Sequence, residues 1–485
     1  MVGVPGRSKS CITCRKRRKG CDLEKPACGQ CRKGGLTCGG YSTERIFVVS
    51  TPRNRHAGYS APSTAAPASL PWQRIQHHQV SSNITNLRLL ARPEDERRCI
   101  DHFWETYFPA GQPIPRSAAR SYTCTWTETA RSFNRDDGCL RYALWANCLV
   151  VTGRHNGVAW MLREGSRLYG EALADLRKSL AGTRGPGKGA LIATIKLLGM
   201  FETFSTAGND LAADQPQNWQ RHHAGELALF ITRTAEAHID GEAHHVFADE
   251  RVEMALSAIL QRKRLVLGAP EWKSVPWQRI PKDFKDILVD VLVDMPGLVE
   301  DLDSMGLCAD ASRRAALQVE VEQKCWEHDR QLLVWLRMLS QMAVPSKQPC
   351  REPRAEDLVV HIAQVHGMSL FWTTSLVLYS ILRLVSGAGE GLPARTDPMH
   401  YARNLATSLG ILLQPNAGLY GQQSAALPLE IALQYTRGIS TPSPESGALL
   451  ETLQRLKDNL VNGPTRVLGV NSVHQGATSR EMGIP

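Results

Sequence analysis

The sequence predicts a mainly α chain in three parts: a small cysteine-built module at the N-terminus, a disordered linker and one large all-α domain. Three observations predict it. Six of the 13 cysteines fall within the first 38 residues at regular spacing. The charge is split: residues 1–93 hold 16 Lys/Arg against three acids, a net of +13, whereas the other 392 hold 41 against 44, a net of −3. From about residue 84 the apolar residues recur at helical spacing and alternating strand patterns are almost absent. At 485 residues the chain has room for such a module plus one large domain or two smaller ones. The basic balance belongs to the N-terminal part alone and points to nucleic acid, not to a membrane surface.

The module comes first. Cys11, Cys14, Cys21, Cys28, Cys31 and Cys38 follow C-x2-C-x6-C-x6-C-x2-C-x6-C, two copies of C-x2-C-x6-C joined by a six-residue loop. Two tetrahedral zinc ions need eight sulfur positions, and six thiolates supply eight if one cysteine from each half bridges both metals. Such a cluster is an anion, so it needs compensation from backbone N–H groups and nearby cations. Arg15, Lys16, Arg17, Arg18 and Lys19 lie between Cys14 and Cys21. A short helix beginning near Cys11 and ending near Gly20 presents them at its C-terminal end, which favours positive charge. There they sit against the anionic cluster and can face a polyanion. A disulfide knot fits poorly, because no secretory leader opens the sequence and a chain this long does not need staples. Metal storage leaves the cations without a role.

Residues 11–38, CITCRKRRKGCDLEKPACGQCRKGGLTC, resemble the fungal binuclear zinc-cluster transcription factors. The resemblance implies a binuclear zinc-cluster DNA-binding module over residues 1–45, holding two zinc ions per chain. It implies that Cys11 and Cys28 bridge the metals, that the first metal also holds Cys14 and Cys21, and that the second also holds Cys31 and Cys38. It further implies that double-stranded DNA is read in the major groove by the end of the first short helix, at CGG-type triplets. The matching positions are Arg17 and Arg18, with Arg18 nearest the bases. Lys16 and Lys19 share the cationic run, and Arg15 and Arg32 are placed for phosphates or cluster support. Pro26 matches the proline that turns the chain between the halves, while Gly20 departs from the lysine that many members carry. Arginine suits base reading because its planar fork donates two hydrogen bonds to guanine, with roughly 1–3 kcal/mol of discrimination. The other cations add salt-dependent affinity without sequence preference. The resemblance also implies a nuclear regulator of RNA polymerase II transcription that meets the transcription machinery or co-regulators, with regulation of one metabolic or secondary-metabolite gene cluster a family-level expectation. Many relatives carry a coiled-coil dimerisation helix directly after the cluster. No sustained heptad runs between residues 39 and 83, and the sequence leaves a homodimer open.

Residues 46–83 read as a flexible basic linker. Pro52, Pro62, Pro67 and Pro71 alternate with Ala and Ser, and no acid appears between Arg45 and Pro93. Such composition buries no core. Residues 84–464 read as one α-helical regulatory domain. Glu94–Tyr107 runs into an aromatic cluster of Phe103, Trp104 and Tyr107. Leu168, Ala172, Leu173, Leu176 and Leu180 recur at helical spacing, as do Leu317, Val321, Cys325, Leu332, Leu336 and Leu339. Gly367–Leu382 is the longest apolar stretch; it is short for a membrane span and reads as a buried helix. Ser443 followed by Pro444 and Glu445 starts a helix, Leu449, Leu453, Leu456 and Leu460 form its stripe, and Asn462-Gly463-Pro464 ends it. Residues 465–485 read as a loose tail. The remaining cysteines, Cys99, Cys124, Cys139, Cys148, Cys308, Cys325 and Cys350, show no ligand spacing and fit core packing in a reducing compartment.

The helical region is also similar to the regulatory domain found behind the cluster in many fungal regulators. The similarity rests on Gly153-Arg154, Tyr169-Gly170 with Ala172-Leu173, Phe201-Glu202, and Trp219 with His222 and Gly225. Relatives often carry Arg-Gly-Pro soon afterwards, where this chain has Arg233-Thr234-Ala235. The likeness implies a domain that modulates activity, binds partners or senses a small-molecule effector.

Other chemistry is weakly signalled. Gly182-x4-Gly187-Lys188 resembles a phosphate loop, but Gly189 stands where Ser or Thr must reach magnesium, and a helical segment precedes it where a strand is required. His222, His223, His238, His244 and His245 form a histidine excess without a Glu or Cys partner at ligand spacing. Asp290–Asp303 mixes acids with apolar residues, as activation segments do, and an amphipathic packed helix explains it equally. No nucleophile–base constellation is recognisable, so the expected role is not enzymatic. The alternative is a metabolite-binding or enzymatic helical domain tethered to DNA by the zinc module.

Overall fold

The computed structural model describes residues 11–17, 19–24, 27–38, 93–114, 125–131, 138–181, 188–205, 215–342, 355–387, 391–439 and 443–462. The chain divides into two compact units, residues 1–70 and 71–485.

The first unit contains two short helices, α1 (Ile12–Lys16) and α2 (Gly29–Lys33). α1 is shorter than the sequence predicts. Its ladder continues as Arg17 N–H to Thr13 O and then slips to Lys19 N–H on Cys14 O, both at 3.1 Å. A helix running on to Gly20 would carry the chain about 12 Å along its axis. The third cysteine must instead return to the first, and the Cys11 amide donates to Cys21 Sγ at 3.4 Å.

The second unit is a stack of helices with no strand among the described residues. In order they are α3 (Pro93–Tyr107), α4 (Trp126–Arg131), α5 (Gly138–His155), α6 (Ala159–Ala181), α7 (Lys188–Ser205), α8 (Gln215–Arg233) and α9 (Gly241–Gln261). There follow α10 (Pro270–Ser274), α11 (Phe284–Leu292), α12 (Met295–Leu307), α13 (Ala311–Met342), α14 (Ala355–Val385), α15 (Pro398–Leu412), α16 (Gly418–Arg437) and α17 (Pro444–Asn462). The mainly α fold class is what the sequence predicts. One continuous apolar core runs through the unit from Cys99 to Leu460. α5 and α6 pack closely because Gly153 leaves room: a Cβ there would stand 2.8 Å from Met161 Cβ. The aromatic cluster on α3 is buried and extends to Phe108 and Trp126, with Phe103 and Trp104 edge to face at 5.0 Å. Trp335 on α13 stacks between Phe284 and Phe371, at 4.2 and 5.1 Å.

The long apolar stretch lies in α14, a helix long and apolar enough to cross a membrane; 72% of its apolar window is buried within the unit. Both of its threonine hydroxyls are satisfied locally: Thr373 and Thr374 donate to the carbonyls of Ser369 and Leu370 at 2.7 and 2.8 Å. α17 starts as predicted, with Ser443 Oγ accepting from the Ser446 amide at 3.1 Å, and buries Leu449, Leu453 and Leu460. The acids of Asp290–Asp303 are held in ion pairs: Asp290 with Arg251 and Lys282, Asp294 with Lys273, Asp301 with Arg264 and Lys324, and Asp303 with Arg262. The segment is packed helix, with Val291, Leu292, Val293, Met295 and Leu298 buried. Residues 182–187 of the phosphate-loop-like stretch lie outside the described residues.

Several residues that carry the regulatory-domain resemblance meet in space. The Tyr169 hydroxyl donates to Glu202, lies 2.9 Å from His222 Nε2, and its ring stacks on Phe201 at 4.6 Å. His238 and His244 serve packing too. His238 stacks on Phe247 at 4.9 Å, and His244 Nδ1 sits 3.0 Å from the carbonyls of His238 and Pro276.

Candidate metal centre and nucleic-acid interface

Each half of the cysteine pattern builds the same local device. Cys28 precedes α2 with φ −67° and ψ 146°, and its sulfur accepts from the Cys31 amide at 3.4 Å, so the thiol caps the helix. Cys11 stands in the same place before α1 and accepts from the Cys14 amide at 3.3 Å. The two-residue spacer thus puts the second sulfur one turn in, beside the first. Cys21 and Cys38, which close each half, are partly exposed, whereas the four helix cysteines are buried. Thr13 Oγ1 donates to Thr37 O at 3.0 Å and ties the halves together.

The sulfur positions fit two metals. Cys11, Cys14, Cys21 and Cys28 bring their sulfurs within 4.8 Å of one another, and so do Cys11, Cys28, Cys31 and Cys38. The quartets share Cys11 and Cys28, whose sulfurs are 3.6 Å apart. Cys14 lies 3.6 Å from Cys28, and Cys11 3.8 Å from Cys31. A tetrahedron of sulfurs about 2.3 Å from zinc has edges of about 3.8 Å. Among the described residues, these quartets are the groups of three or more His, Cys, Asp or Glu that converge in this way, and the histidine excess does not. All six are thiols without a disulfide. Their acidity fits the same chemistry. For Cys11, the Cys14 amide works to lower the pKa, yet burial and the thiols of Cys14 and Cys38 push it up to about 12. Burial also raises Cys14 and, most of all, Cys28. Thiols this close ionise together only when a cation takes the place of the protons.

Asp22 is a supporting residue that spacing does not reveal. Its carboxylate accepts from the amides of Gly29, Gln30 and Glu24 at 3.0, 3.2 and 3.3 Å, covering the first turn of α2. Burial would raise its pKa, but these amides bring it below the usual carboxylate range. A Cβ on Gly29 would lie 2.5 Å from Asp22 Oδ2, so the glycine admits the carboxylate. Asp22 precedes Gly29 by seven residues, outside any local capping pattern.

On the cationic side, Lys16, Arg17 and Lys19 are exposed, and the Arg17 guanidinium lies against Gly34. Arg32 is paired with Glu24 at the surface, which offsets its charge. Arg18, Pro26 and the side chain of Arg15 lie outside the described residues.

Residues 9–45 match the fungal Zn(2)-Cys(6) binuclear cluster domain. The N-terminal module is therefore a binuclear cluster domain, which binds two zinc ions, and its six cysteines converge accordingly. A 107-residue stretch is 52% identical to the aspercryptin biosynthesis cluster-specific transcription regulator atnN of Emericella nidulans, covering 21% of this chain and 16% of the relative. A 194-residue stretch is 24% identical to the uncharacterized protein AN5342 of the same organism, covering 38% of this chain and 40% of that one. The match thus spans less than half the length of either curated relative. No solved structure matches the chain.

Proposed function

We propose that this chain is a nuclear, sequence-specific, zinc-dependent and non-enzymatic regulator of RNA polymerase II transcription. The observation that carries the reading is the pair of sulfur quartets sharing Cys11 and Cys28, from which a short helix leads into exposed cations. In this reading residues 1–45 form the DNA-binding module, 46–83 the linker, 84–464 the regulatory domain and 465–485 the tail. Cys11 and Cys28 bridge the two zinc ions, Cys14 and Cys21 complete the first site, and Cys31 and Cys38 complete the second. Arg17 and Arg18 read CGG-type triplets in the major groove of double-stranded DNA, where a guanidinium fork matches guanine O6 and N7. Arg15, Lys16 and Lys19 neutralise phosphates. Arg32, paired with Glu24 at the surface, serves phosphate contact or cluster support.

The printed role of the Emericella nidulans relative, a cluster-specific regulator, supports control of one biosynthetic gene cluster. The helical domain then tunes activity through co-regulators, a second copy of the chain or a small molecule. Chromatin occupancy in the source organism, with Cys28→Ala as control, tests this. Occupancy of one set of adjacent promoters, lost in the variant, is expected. Occupancy that survives the variant would mean that the helical domain, not the zinc module, addresses the protein.

A further inference from the structure

The helical unit contains a pocket of about 480 Å³ where residues 264–269, α12 and α13 meet. That size falls in the range of small-molecule sites. A second cavity, around Lys196 and His366, measures only about 40 Å³, room for a few waters. The larger pocket has an apolar wall of Leu265, Val293 and Leu298, all buried, and Gly268 and Gly297 add no side chain to fill it.

The charges that line the pocket cancel. Asp294 and Asp301 stand against Arg264 and Lys324. Both acids are already paired. The two oxygens of Asp294 accept from Lys273 Nζ at 2.6 and 2.5 Å, and Asp301 is held by Arg264 and by Lys324. A charged ligand would give up its hydration here and find no free counter-ion, a cost that a neutral one does not meet.

One buried polar atom is left without a hydrogen bond. His328 is 9% exposed and lines the pocket, with its Nδ1 3.3 Å from Gln331 Oε1. That oxygen accepts, so Nδ1 carries the proton and Nε2 presents a lone pair. Nε2 lies 3.8 Å from Asp294 Oδ2, itself an acceptor, and no donor among the described residues bonds to it. Burial outweighs the pull of Asp294 and holds the imidazole neutral. A buried acceptor without a donor is costly, and a ligand in the pocket can supply one.

We infer that this pocket binds a neutral, mainly apolar molecule with one hydroxyl, an alcohol or a phenol, whose hydroxyl donates to Nε2 of His328 while its apolar body lies along Leu265 and Leu298. One hydroxyl suffices because the neighbouring carboxylates are taken. As an effector site the pocket rests on the regulatory reading above; as a binding site it does not, and its test is made without DNA.

2-Naphthol titrated calorimetrically into the full zinc-loaded chain provides that test. One saturable site per chain, half-filled below about 1 mM, is expected. 2-Methoxynaphthalene keeps the rings but has no hydrogen to give, and should bind at least about fivefold more weakly. 2-Naphthoate brings a charge and should bind at least about tenfold more weakly. His328→Phe keeps a ring in the wall and removes the acceptor, so it should bring naphthol and its methyl ether within about twofold of each other. A change that merely loosened the fold would weaken both alike and keep their ratio, and the wild-type comparison stands whether or not the variant folds. No saturation by 2-naphthol, equal binding of either analogue to wild type, or an undiminished preference for naphthol in folded His328→Phe would each overturn the inference.

Discussion

Replacing Cys28 by alanine removes a sulfur from both quartets, whereas replacing Cys38 removes one from a single quartet. The consequence can be sized. Apparent binding of structural zinc is worth about 10–16 kcal/mol per ion, so a four-ligand site loses roughly 2.5–4 kcal/mol with each sulfur. Cys38→Ala therefore costs about 2.5–4 kcal/mol at one ion, and Cys28→Ala about 5–8 kcal/mol spread over both. Nothing else in the described part of the module offsets this, since its buried cluster consists of the cysteines themselves. Below about 40 residues a domain without metal rarely holds its fold. The assay is zinc per chain, by elemental mass spectrometry, on full-length protein equilibrated at a buffered free-zinc level. Wild type should hold two ions, Cys38→Ala close to one, and Cys28→Ala close to none. Equal zinc in the two variants would refute the shared-sulfur reading.

Three further outcomes follow from the same structure. Lys16→Ala in the full chain should lower the log–log salt slope of DNA binding by about 0.9 and leave the ranking of sequences intact; an unchanged slope would take Lys16 off the phosphates. Asp249 is buried and accepts from Thr125 Oγ1, the Trp126 amide and Lys285 Nζ at 2.6, 3.1 and 3.1 Å, so Asp249→Ala strands a buried ammonium. Denaturant unfolding should show a loss of about 3–5 kcal/mol, and a loss below about 1 kcal/mol would contradict that assignment. Burial, aided by the positive charge of Lys285, holds His366 neutral with its pKa lowered from 6.5 to about 3. The unfolded chain therefore takes up this proton first. The stability due to His366 is intact above pH 6.5 and is lost as pH falls toward 3, by at most about 1.4 kcal/mol per unit. Glu250, pushed up to about 8 chiefly by burial, acts in the opposite sense, its contribution fading as pH rises from 4.5 toward 8. Comparing His366→Gln with wild type isolates the histidine, and equal slopes between pH 6.5 and 4 would remove it as the titrating group.

The metal centre was legible because cysteine spacing counts ligands and needs no knowledge of the rest of the fold. The helices of the large unit were legible wherever an apolar stripe was long, as in α6, α13 and α17, since periodicity is a local property. The length of α1 was not, because the need of Cys21 to return to Cys11 overrides the helix propensity of the intervening cations. Asp22 was missed for a similar reason: it reaches α2 across a loop whose course the metals dictate. The acids of Asp290–Asp303 showed helical packing and activation equally well. Only their partners, 8 to 41 residues away, distinguish the two.

The most direct test of sequence-specific, zinc-dependent DNA reading is selection of binding sites from random duplex DNA by the full chain, with zinc and after chelation. Enrichment of CGG-containing sites with zinc, lost on chelation and restored when zinc is returned, is the predicted result. No enrichment in the presence of zinc, or enrichment that survives its removal, would contradict it.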